Sequence, residues 1–251
     1  SPIATIMVPG FTSVKVLSAF SAGMVASVAV VEDTQMLAEY TINYKKTHSQ
    51  TLLPMLDEIG KMIELDLSTV DAIAVAAGPG SFTGLRIGSA TAKGLGLALK
   101  KPLVSVPTLE GIAYNFCGSD KLVCPMMDAR RSQVYTGIYK FSGNELEKVE
   151  DQMAVPVEEI LAKLNQLGQE VVLAGDGVPV YLDIIQKELK VPYLLAPSHL
   201  NRQRAGAVAA LGMQYAQAGH LETAMEHQPD YLRLSQAERE RAEKQAGEKH
   251  A

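Results

Sequence analysis

The chain is predicted to be an α/β protein built as two similar halves, on three observations. Antiparallel strand patterns come first, then helices alternating with strands, and this order of elements occurs twice, restarting after Pro107. Asp71 to Ala77 is a continuous apolar run, as a strand covered by helices on both faces requires. Finally, 47% of the 251 residues are hydrophobic and 20% are charged, a globular balance at a length that buries a large core without disulfides or metal. The repeat is one of element order only; no sequence repeat accompanies it.

The elements follow in order. Val14 to Leu17 and Val25 to Val31 read as strands joined through Ser21, Ala22 and Gly23, a hairpin. Leu37 to Tyr44 reads as a third strand with Tyr40, Ile42 and Tyr44 on one face. Leu52, Leu53, Leu56, Ile59, Met62 and Ile63 recur at helical spacing, with Thr47 or Ser49 available as caps. Pro54 fits only near the first turn, so this helix begins late or bends. After Asp71 to Ala77 come Gly78-Pro79-Gly80-Ser81-Phe82-Thr83-Gly84 and a long small-residue helix ending near Lys100 and Lys101, then a strand at Leu103 to Val106. The second half reads as strands at Leu122 to Met127 and Gln133 to Phe141, a helix at Val157 to Leu167, a strand at Val171 to Ala174, and helices at Val180 to Leu189 and Arg204 to Ala218. The expected partition is a leader at 1–13, halves at 14–106 and 107–235, and a charged tail at 236–251 that is frayed or disordered.

Composition excludes several classes. No apolar run approaches the roughly 18 residues of a membrane helix. A net charge of −5 argues against a general basic surface that grips nucleic acid unaided. Cys117 and Cys124 are too few for a disulfide framework and lack zinc spacing. Both read as small buried hydrophobes in a reducing cytosol, with a Cys117–Cys124 bridge as the alternative. None of the five histidines pairs with another at i,i+4; His220 and His227 read as solvated surface. Gly80-Ser81-Phe82-Thr83-Gly84 is not a nucleophile elbow, because its serine adjoins the first glycine.

Three strand ends are candidates for chemistry. Gly78, Gly80, Ser81, Thr83 and Gly84 open a helix and present backbone amides to its positive end, which suits an anion. Glycines also serve tight turns and close helix packing, and both readings stand at this point. Asp128 and Arg130, within Asp128-Ala129-Arg130-Arg131, offer a carboxylate and a planar anion-binding fork, or else a salt-bridged turn. Gly175, in Gly175-Asp176-Gly177, ends another strand where open α/β sheets bind ligands. The three ends should converge between the halves.

Thr47-His48-Ser49-Gln50-Thr51-Leu52-Leu53-Pro54, the block from Gly78 to Gly88, Met127-Asp128-Ala129-Arg130-Arg131, and Pro229-x-Tyr231-Leu232-Arg233 occur in the order found in the bacterial TsaB (YeaZ) family, and the chain resembles that family over roughly residues 14–238. The resemblance implies the fold of the actin-like, Hsp70-like ATPase superfamily, a ribonuclease H-like architecture with two related α/β halves. It implies a cytoplasmic, non-catalytic scaffold with no cofactor of its own. Its partners would be TsaD, as a heterodimer, and TsaE, with a homodimer formed when the chain is alone and tRNA met only through the complex. That assembly transfers a threonylcarbamoyl group to the adenosine beside the anticodon, position 37, of tRNAs reading codons that start with A. TsaD carries a His-x-x-x-His metal pair and this sequence has none, so the ATP used by the complex is expected in TsaD.

Surplus apolar positions on the first long helix and the small residues of the second suggest where partners dock. The expected interface is His48, Leu52, Leu53, Leu56, Ile59 and Met62, with Gly84, Arg86 and Gly88 on the second helix. One departure from the family pattern stands out. Aligning Lys15-Val16-Leu17 with the family's first strand puts Phe20 where the superfamily's ATPases carry an aspartate. A phenyl ring cannot hold a metal's water shell, so this chain is expected to bind ATP weakly or not at all. The alternative function is an independent nucleotide hydrolase or an M22-like peptidase of the same superfamily.

Overall fold

The computed structural model describes residues 13–22, 24–44 and 51–230. The leader apart from Ser13, the charged tail, the caps Thr47 and Ser49, the interface residue His48, and Tyr231 to Arg233 lie outside the described residues.

Strands β1 (Lys15–Ala22), β2 (Val25–Glu32), β3 (Gln35–Asn43), β4 (Ala72–Ala76) and β5 (Leu103–Val106) form one sheet in the order β3-β2-β1-β4-β5. β1, β2 and β3 are an antiparallel meander, and β4 and β5 run parallel to β1. Strands β6 (Leu122–Asp128), β7 (Gln133–Ser142), β8 (Glu145–Pro156), β9 (Val171–Ala174) and β10 (Tyr193–Leu195) form a second sheet in the order β10-β9-β6-β7-β8. Counted from its own first strand, each sheet has the same order, a meander on one side of the first strand and two parallel strands on the other.

Helices α1 (Leu52–Met62) and α2 (Phe82–Leu99) cover one face of the first sheet. Leu52, Leu56 and Ile59 of α1 pack there with Leu17, Val28, Val30, Ile73 and Val75. Pro54 sits in the first turn of α1, which begins at Leu52. The opposite face would be bare without α7 (Ala205–Gln217), whose Val208, Ala209 and Leu211 pack on Val16, Phe20, Ala72 and Val104. This corrects the partition at Pro107: α7 follows the second sheet in the chain but covers the first. Its start is clamped from β3, where Glu39 takes Arg204 Nε and Nη2 at 3.0 and 2.8 Å and the Gly206 amide at 2.9 Å. A carboxylate at a helix N-terminus meets its positive end. The second sheet builds its own core with α4 (Val157–Leu167), including Leu122, Met126, Ile138, Ile160 and Leu164.

Several expectations are corrected. β1 continues through Ser18, Ala19 and Phe20 to Ala22, so Ser21 and Ala22, expected in the link, are ladder residues paired with Ala26 and Val25. Tyr44 lies beyond the end of β3 and is 74% exposed. The helix expected at Val180 to Leu189 is two, α5 (Gly177–Val180) and α6 (Leu182–Glu188). Cys117 is exposed and Cys124 buried, and both are free. Three elements had no clear pattern: the short helix α3 (Thr108–Ala113), the charged edge strand β8 and the three-residue β10.

Glu110 of α3 is buried and accepts the Tyr215 hydroxyl proton. Burial raises its pKa above the usual carboxylate range, with the tyrosine hydrogen bond opposing. A carboxyl whose pKa is raised by folding stabilises the fold in its protonated form, and that stability is lost as pH rises through the folded-state pKa. Glu110→Gln keeps the acceptor without the charge. It should be more stable than the parent at pH 8, with the gap closing toward pH 4 in denaturant titrations. A parent more stable than the variant at pH 8 would contradict this.

Candidate functional site

The glycine loop carries β4 into α2 and is already engaged within the chain. The Gly84 amide is capped by Ser81 Oγ at 3.1 Å, and the Gly78 amide donates to Thr108 Oγ1 at 3.1 Å. A Cβ on Gly84 would stand 2.6 Å from the Ser21 carbonyl oxygen, so this glycine lets α2 press against the end of β1. Gly78 has φ +109°, and a Cβ there would collide with the Asp230 carbonyl. Phe20 is 2% exposed, and the space it shares with Gly80, Ser81, Gly84 and Gly88 is a cavity of about 10 Å³. That is room for about one water and not for a phosphate. The space directly beside Phe20 therefore does not admit a phosphate.

The three strand ends do converge. Gly80, Asp128 and Gly175 line one cavity of about 120 Å³ between the sheets, together with Asp176, Arg202 and Gln203. The Asp128 carboxylate is not free within it. Its Oδ1 accepts Tyr181 OH at 2.7 Å and the Arg130 amide at 2.9 Å. Burial first, then this hydrogen bond, pushes Tyr181 up to about 12. The Asp128 amide donates to Asp176 Oδ1 at 2.8 Å. Dense surroundings strip water from the Asp176 carboxylate and raise its pKa against that hydrogen bond, although much of the residue's surface stays open. Among the described residues no group of three His, Cys, Asp or Glu is placed to hold a metal ion.

The residues expected at a partner interface separate by position. Leu52, Leu56 and Ile59 are at most 6% exposed and belong to the core, because the sheet face beneath α1 takes that whole stripe. Gly84 and Gly88 are buried against β1 of their own chain, and Arg86 is exposed with its guanidinium 5.4 Å from the Phe82 ring centre. Leu53 is 55% exposed and lines an open groove of about 420 Å³ with Leu65, Leu67 and Leu95. Met62 is 82% exposed, but nine positions along the helix put it roughly half a turn around from Leu53 and outside the groove.

His227 corrects the expectation of a solvated residue: it is fully buried. Its Nδ1 lies 2.6 Å from Glu222 Oε1 and 3.0 Å from Ser105 Oγ, and Ser105 Oγ donates to the same glutamate oxygen. Serine and glutamate share one ring nitrogen, so this is not a proton relay of the Ser–His–acid kind. It latches residues 222–230 along the edge of β5, where Leu103 and Glu222 exchange both backbone hydrogen bonds and the Asp230 amide reaches Ala77. No local pattern around His227 announces this, since its partners are 5 and 122 positions away.

Residues 35–241 match the family described as "TsaD: tRNA N6-adenosine threonylcarbamoyltransferase". The chain is 32% identical over 211 residues to the "tRNA threonylcarbamoyladenosine biosynthesis protein TsaB" of Bacillus subtilis, covering 84% of this chain and 90% of that protein. It is 32% identical over 174 residues to the protein of the same name from Escherichia coli, covering 68% and 74%. The chain belongs to the TsaB family. The fold agrees, since the crystal structure of "YeaZ from Pseudomonas aeruginosa" superposes with a TM-score of 0.75 at 26% identity, covering 87% of this chain and all of that one. A second structure, of a protein from the same organism described by its similarity to peptidase YEAZ, gives 0.77 at 27% identity over 88% of this chain. In this TsaB chain, then, the glycine block takes part in packing and capping, and an open apolar groove runs beside α1.

Proposed function

We propose that this chain is the non-catalytic subunit of a cytoplasmic tRNA-modifying assembly. It docks on a TsaD-type transferase through the α1 groove and supports threonylcarbamoyl transfer to the adenosine at position 37 of tRNAs reading A-starting codons. TsaE joins the same assembly, tRNA is engaged through the complex, and alone the chain covers its groove with a second copy. The two sheets of equal strand order are read as the two related halves of an actin-like, Hsp70-like ATPase fold that has lost its nucleotide site.

One observation carries this reading. The apolar groove bounded by Leu53, Leu67 and Leu95 is open, whereas the space beside Phe20 where the superfamily's ATPases hold phosphates is nearly filled. An open apolar surface together with a filled phosphate space supports assigning the ATP consumed by the assembly to the partner. No helix among the described residues is long and apolar enough to cross a membrane. The test is co-purification of the tagged full chain with the TsaD-type protein of the same cell. A stable one-to-one pair is expected. Absence of any pair when both are co-expressed would overturn the reading.

A further inference from the structure

The turn between β6 and β7 holds two arginines in an unusual way. Arg130, Arg131 and Ser132 have φ of 64°, 52° and 59°, three successive left-handed residues with no glycine among them. For residues with a Cβ this conformation is strained, and asparagine or glycine would adopt it more readily. The surrounding hydrogen bonds fix it. Asp128 Oδ1 takes the Arg130 amide, Gln133 N donates to Arg130 O at 3.0 Å, Ala129 N to Gln133 O at 2.9 Å, and Val157 N to Ser132 O at 3.1 Å. None of these bonds uses an arginine side chain.

Both arginines are exposed, and neither forms a salt bridge among the described residues. Two carboxylates beside the turn are hydrogen-bonded elsewhere, Asp128 to Tyr181 and the Arg130 amide, Asp176 to the Asp128 amide. Glu158 and Glu159 open α4 next to the turn, where the Val157 amide meets Ser132 O, and neither forms a salt bridge to Arg130 or Arg131 among the described residues. A third cation, Arg202, stands on the wall of the adjoining cleft, also without a salt bridge among the described residues. On a protein of net charge −5, two adjacent exposed guanidiniums without a salt bridge among the described residues are available to an external anion.

We propose that Arg130 and Arg131 form a docking point for phosphates of an RNA backbone, outside the cleft and independent of any nucleotide within it. Guanidinium forks match phosphate oxygens two at a time, and a rigid turn spares the ordering cost of presenting them. The proposal rests on the reading of this chain as part of a tRNA-modifying assembly. It adds that the chain itself touches the RNA.

The test is fluorescence anisotropy of a labelled tRNA transcript against the chain paired with its TsaD-type partner, across a salt series. The full chain alone is titrated in parallel, so the arginine effect is read whether or not the pair forms, and pair formation is scored separately by size exclusion. The variant is Arg130→Asn with Arg131→Asn, since asparagine tolerates the left-handed backbone. Its melting temperature should be equal to or above the parent's. Affinity for the transcript should fall about tenfold, and the slope of log affinity against log salt should shrink by about 1 to 2. Lysine at both positions should keep most of the slope. Unchanged affinity and slope would overturn the proposal. So would loss of partner binding with unchanged RNA binding, which would mark an acidic protein surface as the target. Competition by inorganic phosphate or ATP at concentrations too low to act as salt would point instead to a free phosphate ligand and count against an RNA contact.

Discussion

Leu53→Glu combined with Leu67→Glu should abolish docking on a TsaD-type partner, and the self-association of the isolated chain, without unfolding it. Leu53 is 55% exposed and Leu67 38%, so two carboxylates at the groove meet water in the free chain and cost the fold little. Once a partner covers the groove, each unpaired charge is stripped of water against Leu65 and Leu95. That costs about 3 kcal/mol or more, on the order of 100-fold in affinity. Size exclusion with the partner and circular dichroism of the variant read the two quantities apart. Met62→Glu is the control. It is more exposed than either leucine yet stands outside the groove, so it should leave binding within about twofold. If Met62→Glu weakens binding and the groove pair does not, the partner sits on the other flank of α1.

Phe20→Asp should cost the chain about 5 kcal/mol or more, and should not create magnesium–ATP binding. Removing a buried phenyl ring costs about 3–5 kcal/mol, and a carboxylate left among Val16, Val25, Val208 and Ala209 adds its lost hydration. Domains are stable by only about 5–15 kcal/mol, so the variant should be partly unfolded at room temperature in urea titrations. The family alignment alone suggests a different outcome, a restored metal site. The packing decides against it, because Phe20 is a core side chain and the space beside it holds no phosphate. A folded variant with saturable magnesium–ATP affinity would show that the loop reopens and that this account of Phe20 is wrong.

Most of the architecture was legible in the sequence because its strands are long apolar runs and its helices carry regular stripes. The restart of element order gave the second sheet, and the strand-end motifs led to a cavity lined by Gly80, Asp128 and Gly175. The misread features have separate physical causes. β8 is charged and lies at a sheet edge, so burial never imposes a pattern on it. The Glu39 clamp on α7 spans 165 positions, and the His227 latch on Ser105 spans 122, distances at which single-sequence periodicity says nothing. The apolar positions expected at an interface on α1 divide into buried and exposed ones for a geometric reason. Leu52, Leu53, Leu56, Ile59 and Met62 are all apolar and helical, but only register against the sheet sorts the three that face inward from the two on opposite flanks. Gly84 and Gly88 looked like partner contacts because small residues permit close approach, and the close approach is to β1 of the same chain.

The chain is proposed to act by docking, with no transferase chemistry of its own. The most direct measurement is threonylcarbamoyl incorporation into a tRNA transcript, compared for the purified chain alone, the TsaD-type partner alone, and the two together with the remaining components held constant. The expected result is no product from the chain alone, strong stimulation of the partner by the wild-type chain, and loss of that stimulation with the Leu53→Glu, Leu67→Glu variant. Product formed by the chain without the partner, or full stimulation by the groove variant, would contradict it.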